Sequence, residues 1–388
     1  MCDVKKTLGI YIHIPFCVRK CAYCDFLSGP GSKDKIEDYV EALLNEIREQ
    51  GKLDSMVAFR NVSSVFVGGG TPSLLEENQI EKILNTLREN FKVDQDAEIT
   101  IEANPGTVTK EKLEAYRKAG VNRISFGLQS TNNEELKLLG RIHTYEQFLE
   151  SYRLARECGF DNINVDLISA VPRQTVESWE KSLKQIIELN PEHVSAYSLI
   201  IEEGTPFAKE YGEGAPKACE LPTEEDERLM YQRTEEMLAD AGYHRYEISN
   251  YAKDGRECKH NLGYWERKDY LGIGLGASSL IDNVRYKNID SLDDYIEHAS
   301  NLCKIQEGKE ELSLREQMEE FVFLGLRKMK GISIKQFEMT FGKTLEECYG
   351  PNIKRMQEEQ LLVVEDDFVR LTHKGIDVSN YVFGEILN

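Results

Sequence analysis

The stretch LGIYIHIPFCVRKCAYC, residues 8–24, decides the fold. Its first half is rich in β-branched and aromatic residues over the length of a strand, and Pro15 closes it. Cys17, Cys21 and Cys24 follow at once, so a C-x₃-C-x₂-C loop leaves the end of that strand. Working outward, similar strand-like runs recur at 63–70, 97–105, 123–128, 162–169 and 193–201. Amphipathic helical patterns separate them at 36–50, 78–91, 110–120 and 146–159. Such alternation predicts an α/β fold, a parallel sheet with helical crossovers. Six strand–helix units fall short of the eight that close a full barrel, so an open, TIM-like partial (β/α)6 barrel is expected. Chemistry in such barrels sits where the strands end. That rim would carry Cys17, the Gly68–Thr71 turn, Glu102, Gln129 and Asp166.

The remaining chain divides by texture. Residues 1–215 read as the barrel, 216–310 as a segment covering it, and 311–388 as a mainly helical, winged-helix-like C-terminal domain. A Gly- and Pro-rich stretch at 202–222 reads as a linker or lid. A winged helix invites a nucleic-acid reading, but the net charge of −20 opposes it. Glu365, Asp366 and Asp367 crowd the would-be wing, so a packing role is expected and no nucleic-acid partner. With 40% hydrophobic and 30% charged residues the chain is a folded globular protein. No apolar run is long enough for a membrane span and no signal peptide is evident, so a cytoplasmic location is expected, with at most transient membrane association. In that reducing setting the nine cysteines are thiols.

Three of the nine crowd into eight residues and need their own explanation. Short unequal spacings suit a loop wrapped around an iron–sulfur cluster, with one thiolate for each of three irons. A zinc site using Cys17, Cys21, Cys24 and His13, or a redox pair of Cys21 and Cys24, is the rival reading.

With Tyr23 before the third cysteine, the triplet resembles the signature of the radical S-adenosylmethionine (radical SAM) family. The resemblance implies a [4Fe–4S] cluster on Cys17, Cys21 and Cys24 and S-adenosyl-L-methionine bound at the open iron. It also implies ligand contacts from Tyr11, Tyr23, Gly69, Gly70, Thr71, Glu102, Gln129, Arg141 and Asp166. Further stretches, YIHIPFC, GGGTPS, IEANP, SFGLQS, LGRIH and DLISAVPRQT, are similar to the oxygen-independent coproporphyrinogen III oxidase family. That family has an oxidase branch and a heme chaperone branch. The oxidase branch carries one more cysteine two residues past the third, where this sequence has Phe26. It also has a long arm before the first cysteine, whereas sixteen residues precede Cys17 here. The run HNLGYW matches the chaperone branch's H-N-x-x-Y-W motif, which implies heme contacts from His260, Tyr264 and Trp265. The resemblance implies a heme chaperone delivering heme to an acceptor hemoprotein, such as a respiratory-chain component. The alternative is a coproporphyrinogen III dehydrogenase. Ala170 departs from the family, many members of which have glycine there.

Overall fold

The computed structural model describes residues 7–52 and 60–387; Cys2 lies outside them. Six strands, β1 (Thr7–Ile14), β2 (Asn61–Gly69), β3 (Lys92–Ala103), β4 (Arg123–Gln129), β5 (Ile163–Ser169) and β6 (His193–Ser198), pair in chain order. All five pairings are parallel. Helices cover one face of the sheet, so the expected partial barrel is the observed one. One parallel strand joins the sheet beyond the six expected. Tyr270–Ile273 pairs with β1 in parallel. Antiparallel strands Ser278–Ile281, Val284–Asn288 and Gln306–Glu311 extend that edge, and Asn250–Ala252 with His244–Arg245 extend the other. Residues between 224 and 305 therefore widen the sheet, and they share its hydrophobic core.

Alternation along each strand sorts its two faces. Leu8, Ile10 and Ile12 of β1, Val62, Val65 and Val67 of β2, and Ile124, Phe126 and Leu128 of β4 are buried in the core with the helices. Strand positions in alternation with these are polar: Ser64, Glu98, Glu102, Arg123, Ser125, Asn164, Asp166 and Ser195. A parallel sheet packed on both faces would be apolar throughout. Here the concave face instead lines a polar chamber of about 260 Å³, bordered by Tyr11, Phe66, Arg123, Asn164 and Asn261. The barrel interior is built to hold polar matter.

Helix α1 (Lys33–Lys52) is fixed to the widened edge by one buried carboxylate. Glu46 accepts from Gly274 N at 2.8 Å, from Asn288 Nδ2 at 2.7 Å and from the Tyr295 hydroxyl. Burial pushes its carboxyl up to about 7, against the pull of these donors. An acid whose folded pKa is raised binds its proton more tightly when folded. Its contribution to stability is present below the ordinary carboxyl range and is lost as pH rises to about 7. Urea unfolding between pH 5 and 8 is expected to show this decline in wild type and a flatter profile in Glu46→Gln.

Ala170 follows β5 with φ of +59°, in the left-handed region. An alanine Cβ crowds the backbone there, so the position favours glycine. Ala170→Gly is expected to gain up to about 1 kcal/mol, read as a higher urea midpoint at unchanged slope.

The C-terminal domain has its own core, with Val322, Phe337, Met356 and Val382 fully enclosed. Its three-stranded sheet and helices Ile334–Phe341 and Leu345–Glu358 make a winged helix. In the acidic wing, Asp367 accepts from Ser333 Oγ and Lys335 N at the start of a helix, and Arg370 pairs with Glu365. Asp367 thus satisfies a backbone N–H in that helix's first turn, and Glu365 is offset by a cation within the wing.

Candidate functional site

Cys17, Cys21 and Cys24 line a cavity of about 390 Å³ at the C-terminal ends of the strands. The loop bearing them is held from several sides. Cys17 N donates to Gly29 O at 2.9 Å, and Ala22 N donates to Leu139 O at 3.1 Å. Phe207 N donates to Ala22 O at 3.0 Å, while its ring meets Tyr23 edge-on. The 202–222 stretch is therefore a buttress for the cysteine loop, carried by the short helix Pro206–Tyr211.

Polar hydrogens point at the sulfurs. Thr71 Oγ1 donates to Cys17 Sγ at 3.5 Å, and Arg141 Nη1 to Cys21 Sγ at 3.6 Å. Arg141 also donates to Asn104 Oδ1 and Gly127 O, and Asn104 Nδ2 donates to Thr71 Oγ1 at 2.7 Å. Asn104 thus links both sulfur donors, although the sequence reading assigned it no role; its place in IEANP at the end of β3 was the available signal. Among the described residues no three His, Cys, Asp or Glu gather closely enough to hold a single ion. His13 is engaged at both nitrogens, by Tyr11 OH at 2.9 Å and Leu27 O at 2.8 Å. This donor set suits a polynuclear cluster, whose thiolates bind separate irons, and does not suit the zinc reading.

Beside the thiols the Gly68–Gly70 turn forms a cradle. A Cβ on Gly70 would lie 2.6 Å from Phe16 O, and Gly69 has φ of +111°. Glu102 accepts from Gly69 N at 3.0 Å. Burial, reinforced by the charge of Asp166, pushes the Glu102 carboxyl up to about 8. Asp166 accepts from Ser125 Oγ at 3.0 Å and Asn164 Nδ2 at 2.7 Å. Gln129 holds φ of +75° at a register shift in β4, a local strain of the kind found at ligand sites. Buried Arg141 Nε has no hydrogen-bond partner. A glycine cradle, an unsatisfied guanidinium nitrogen and two carboxylates fit a ligand with amino, carboxylate and hydroxyl groups.

Of the expected ligand contacts, Tyr23, Gly69, Gly70, Thr71, Glu102, Gln129, Arg141 and Asp166 border this cavity. Tyr11 does not. It lies one layer deeper, on the polar chamber, with its hydroxyl on His13.

The HNLGYW run is further from the cysteines still. It forms the helix Lys259–Trp265, whose first turn is fixed by Glu98: Lys259 N and His260 N donate to its carboxylate at 3.1 and 3.2 Å. His260 sits near the starts of the strands, where Nδ1 shares a hydrogen bond with Ser64 Oγ at 2.9 Å and Nε2 with Tyr264 OH at 3.0 Å. Its ring stacks on Phe66 and is 3% exposed. Burial and the nearby charge of Arg123 lower its pKa to about 3, so it is neutral. An axial ligand needs a free nitrogen lone pair, and neither nitrogen is free. Tyr264 is spent on His260, and Trp265 lies against the Arg327 guanidinium of the C-terminal domain at 4.5 Å. The motif joins the floor of the barrel to that domain: of the three residues expected to contact heme, His260 and Tyr264 face each other and Trp265 faces Arg327.

A model of the radical SAM superfamily matches residues 11–186, and one of the HemN C-terminal domain matches 312–378. The chain is 37% identical over 384 residues to the heme chaperone HemW of Lactococcus lactis, covering 99% of this chain and 98% of that one. It is likewise 37% identical to the heme chaperone HemW of Bacillus subtilis, covering 97% and 98%. The chain belongs to the HemW family. With the Escherichia coli heme chaperone HemW the identity is 44% over 275 residues, covering 70% of this chain and 69% of that one. Among solved structures, the radical SAM coproporphyrinogen III oxidase HemN of Escherichia coli superposes with a TM-score of 0.85 at 26% identity, covering 98% and 90%. A HemW-family chain with this triplet is a radical SAM protein, and membership implies the [4Fe–4S] cluster and S-adenosylmethionine. The donor set described above fits both. Among the described residues no helix is long and apolar enough to cross a membrane.

Proposed function

We propose that this chain is a cytoplasmic heme chaperone: it binds heme and hands it to an acceptor hemoprotein. The observation that carries the reading is similarity to heme chaperones along nearly the whole chain, C-terminal domain included. Phe26, standing where the oxidase branch has a cysteine, supports it.

In this reading Cys17, Cys21 and Cys24 hold the cluster, with Thr71 and Arg141 donating to two of the sulfurs. The glycine turn, Glu102, Gln129, Arg141 and Asp166 hold S-adenosylmethionine. The cluster, when bound, supplies an open iron that an amino and a carboxylate group can chelate. Arg141 places positive charge between the thiols and Asn104, and Glu102 fixes the glycine turn through Gly69 N. Tyr23 and Phe207 pack against each other and shield the loop from water on that side.

The fold shared with the oxidase favours a second reading, oxidative decarboxylation of coproporphyrinogen III. Heme transfer separates the two. Heme-loaded protein mixed with apomyoglobin as probe acceptor is expected to give the holomyoglobin Soret spectrum, faster than free hemin adsorbed on albumin does. Failure to load heme, or loading without transfer, counts against the chaperone reading.

A further inference from the structure

We infer that the heme seat is the apolar rim above the cysteine cavity, and that the HNLGYW helix is not part of it. The inference rests on the heme-binding reading and deepens it by placing the cargo.

Among the described residues, three of the eleven large apolar side chains left exposed collect around one opening. Phe26 is 62% exposed, Ile200 67% and Tyr197 40%; all three border the cysteine cavity, and Phe26 and Tyr197 also reach the polar chamber beneath it. Phe26 follows the third cysteine and the other two follow or end β6, so two separate chain segments bring them to the same mouth. A protein that left such groups uncovered would forfeit burial energy at each of them, so a contiguous apolar rim marks a ligand or partner surface. A porphyrin is a flat apolar plate carrying two carboxylates, and aromatic members such as Phe26 and Tyr197 offer flat faces to it.

Its charged edge also finds a match. Arg19 and Lys20 border the same cavity, and their side chains donate to main-chain oxygens, Gly140 O and Phe26 O, both at 2.8 Å. Among the described residues neither forms an ion pair with a carboxylate, although the chain carries an excess of acids. Asp25 and Glu202 also border the mouth, so the cations are not alone there. Two unpaired cations beside exposed apolar groups suit propionates over an apolar macrocycle.

No histidine borders the cavity, and the one proposed by motif is enclosed at the other end of the strands with both nitrogens engaged. Heme on the rim is therefore held by apolar contact and propionate pairing. Strong imidazole ligation would oppose release, whereas this mode suits a protein that must give its cargo away.

The test is hemin titration of the reconstituted full chain, followed at the Soret band, with wild type, the double variant Phe26→Ser/Ile200→Ser, and His260→Gln. The rim residues are exposed, so the double variant is expected to keep its thermal unfolding and cluster absorbance. Losing two apolar contacts should weaken hemin binding roughly tenfold or more. His260→Gln, which keeps hydrogen-bonding capacity at the floor, should bind within about twofold of wild type. Hemin dimethyl ester should bind wild type more weakly than hemin does, and Arg19→Gln/Lys20→Gln should erase that difference. A tenfold loss in His260→Gln with an unaffected rim variant overturns the placement and leaves the chaperone reading standing. No saturable hemin binding by cluster-loaded wild type removes that reading, and the placement with it.

Discussion

Cys17→Ala and Cys21→Ala proteins, reconstituted anaerobically with iron and sulfide, are expected to lose the thiolate-to-iron absorbance at roughly 400 nm and to retain iron only at background level. The structure gives each of these sulfurs its own donor, Thr71 for Cys17 and Arg141 for Cys21, and sets all three thiols around one cavity. A cluster already limited to three protein ligands has none to spare, so one deletion should remove most of the bound metal. Cys258→Ala is the matched control. That thiol is buried at the barrel floor, where it donates to Glu98 Oε1 at 3.4 Å, and burial pushes it up to about 12. It is a packed group, and its loss should leave the absorbance intact. Equal loss in Cys258→Ala, or full iron in Cys17→Ala, would refute the triplet assignment.

Gly69→Ala should leave the cysteines in place and still disable the ligand cradle. At φ of +111° an alanine is strained by roughly 3 kcal/mol. Its Cβ would also fall 2.5 Å from the His13 ring. That ring cannot move aside freely, because Tyr11 and Leu27 hold its two nitrogens and Leu27 belongs to the cysteine loop. The turn must therefore shift, taking with it the Gly69 N–H that holds Glu102. S-adenosylmethionine affinity, measured by equilibrium dialysis on cluster-loaded protein, is expected to fall tenfold or more. Iron content should change little. Wild-type affinity in this variant would mean that the turn does not contact the ligand.

How much of this was written in the sequence differs by element. Strands β1 to β6 were legible because each is rich in β-branched residues and bounded by turn residues, and the triplet marked the functional end of the sheet. The parallel strand Tyr270–Ile273 was not, since LGIGLGASSL looks like a loop by composition. Its glycines are needed for closeness: a Cβ on Gly272 would meet Ser278 O at 2.2 Å. A glycine required by packing and a glycine required by a turn look the same in one sequence. The common rim of Glu102, Gln129 and Asp166 could be read from their places at the ends of the expected strands, while a ligand for them came from the family resemblance. Tyr11 lies deeper than the other expected contacts because inward-facing positions of one strand differ in depth, and depth depends on how far each strand is staggered against the next. His260 illustrates a further limit. A histidine among aromatics suggests a ligand, but Ser64, Glu98 and Phe66, which enclose it, come from two other strands. Only the assembled barrel shows that both of its nitrogens are occupied.

In the proposed function, a radical SAM scaffold carries heme instead of making its precursor. The most direct measurement is anaerobic incubation of cluster-loaded protein with S-adenosylmethionine, a low-potential reductant and coproporphyrinogen III, with porphyrins quantified after oxidation. No protoporphyrin above the protein-free control is expected from a preparation that binds hemin at one equivalent per chain. Protoporphyrin accumulating over many turnovers would contradict it.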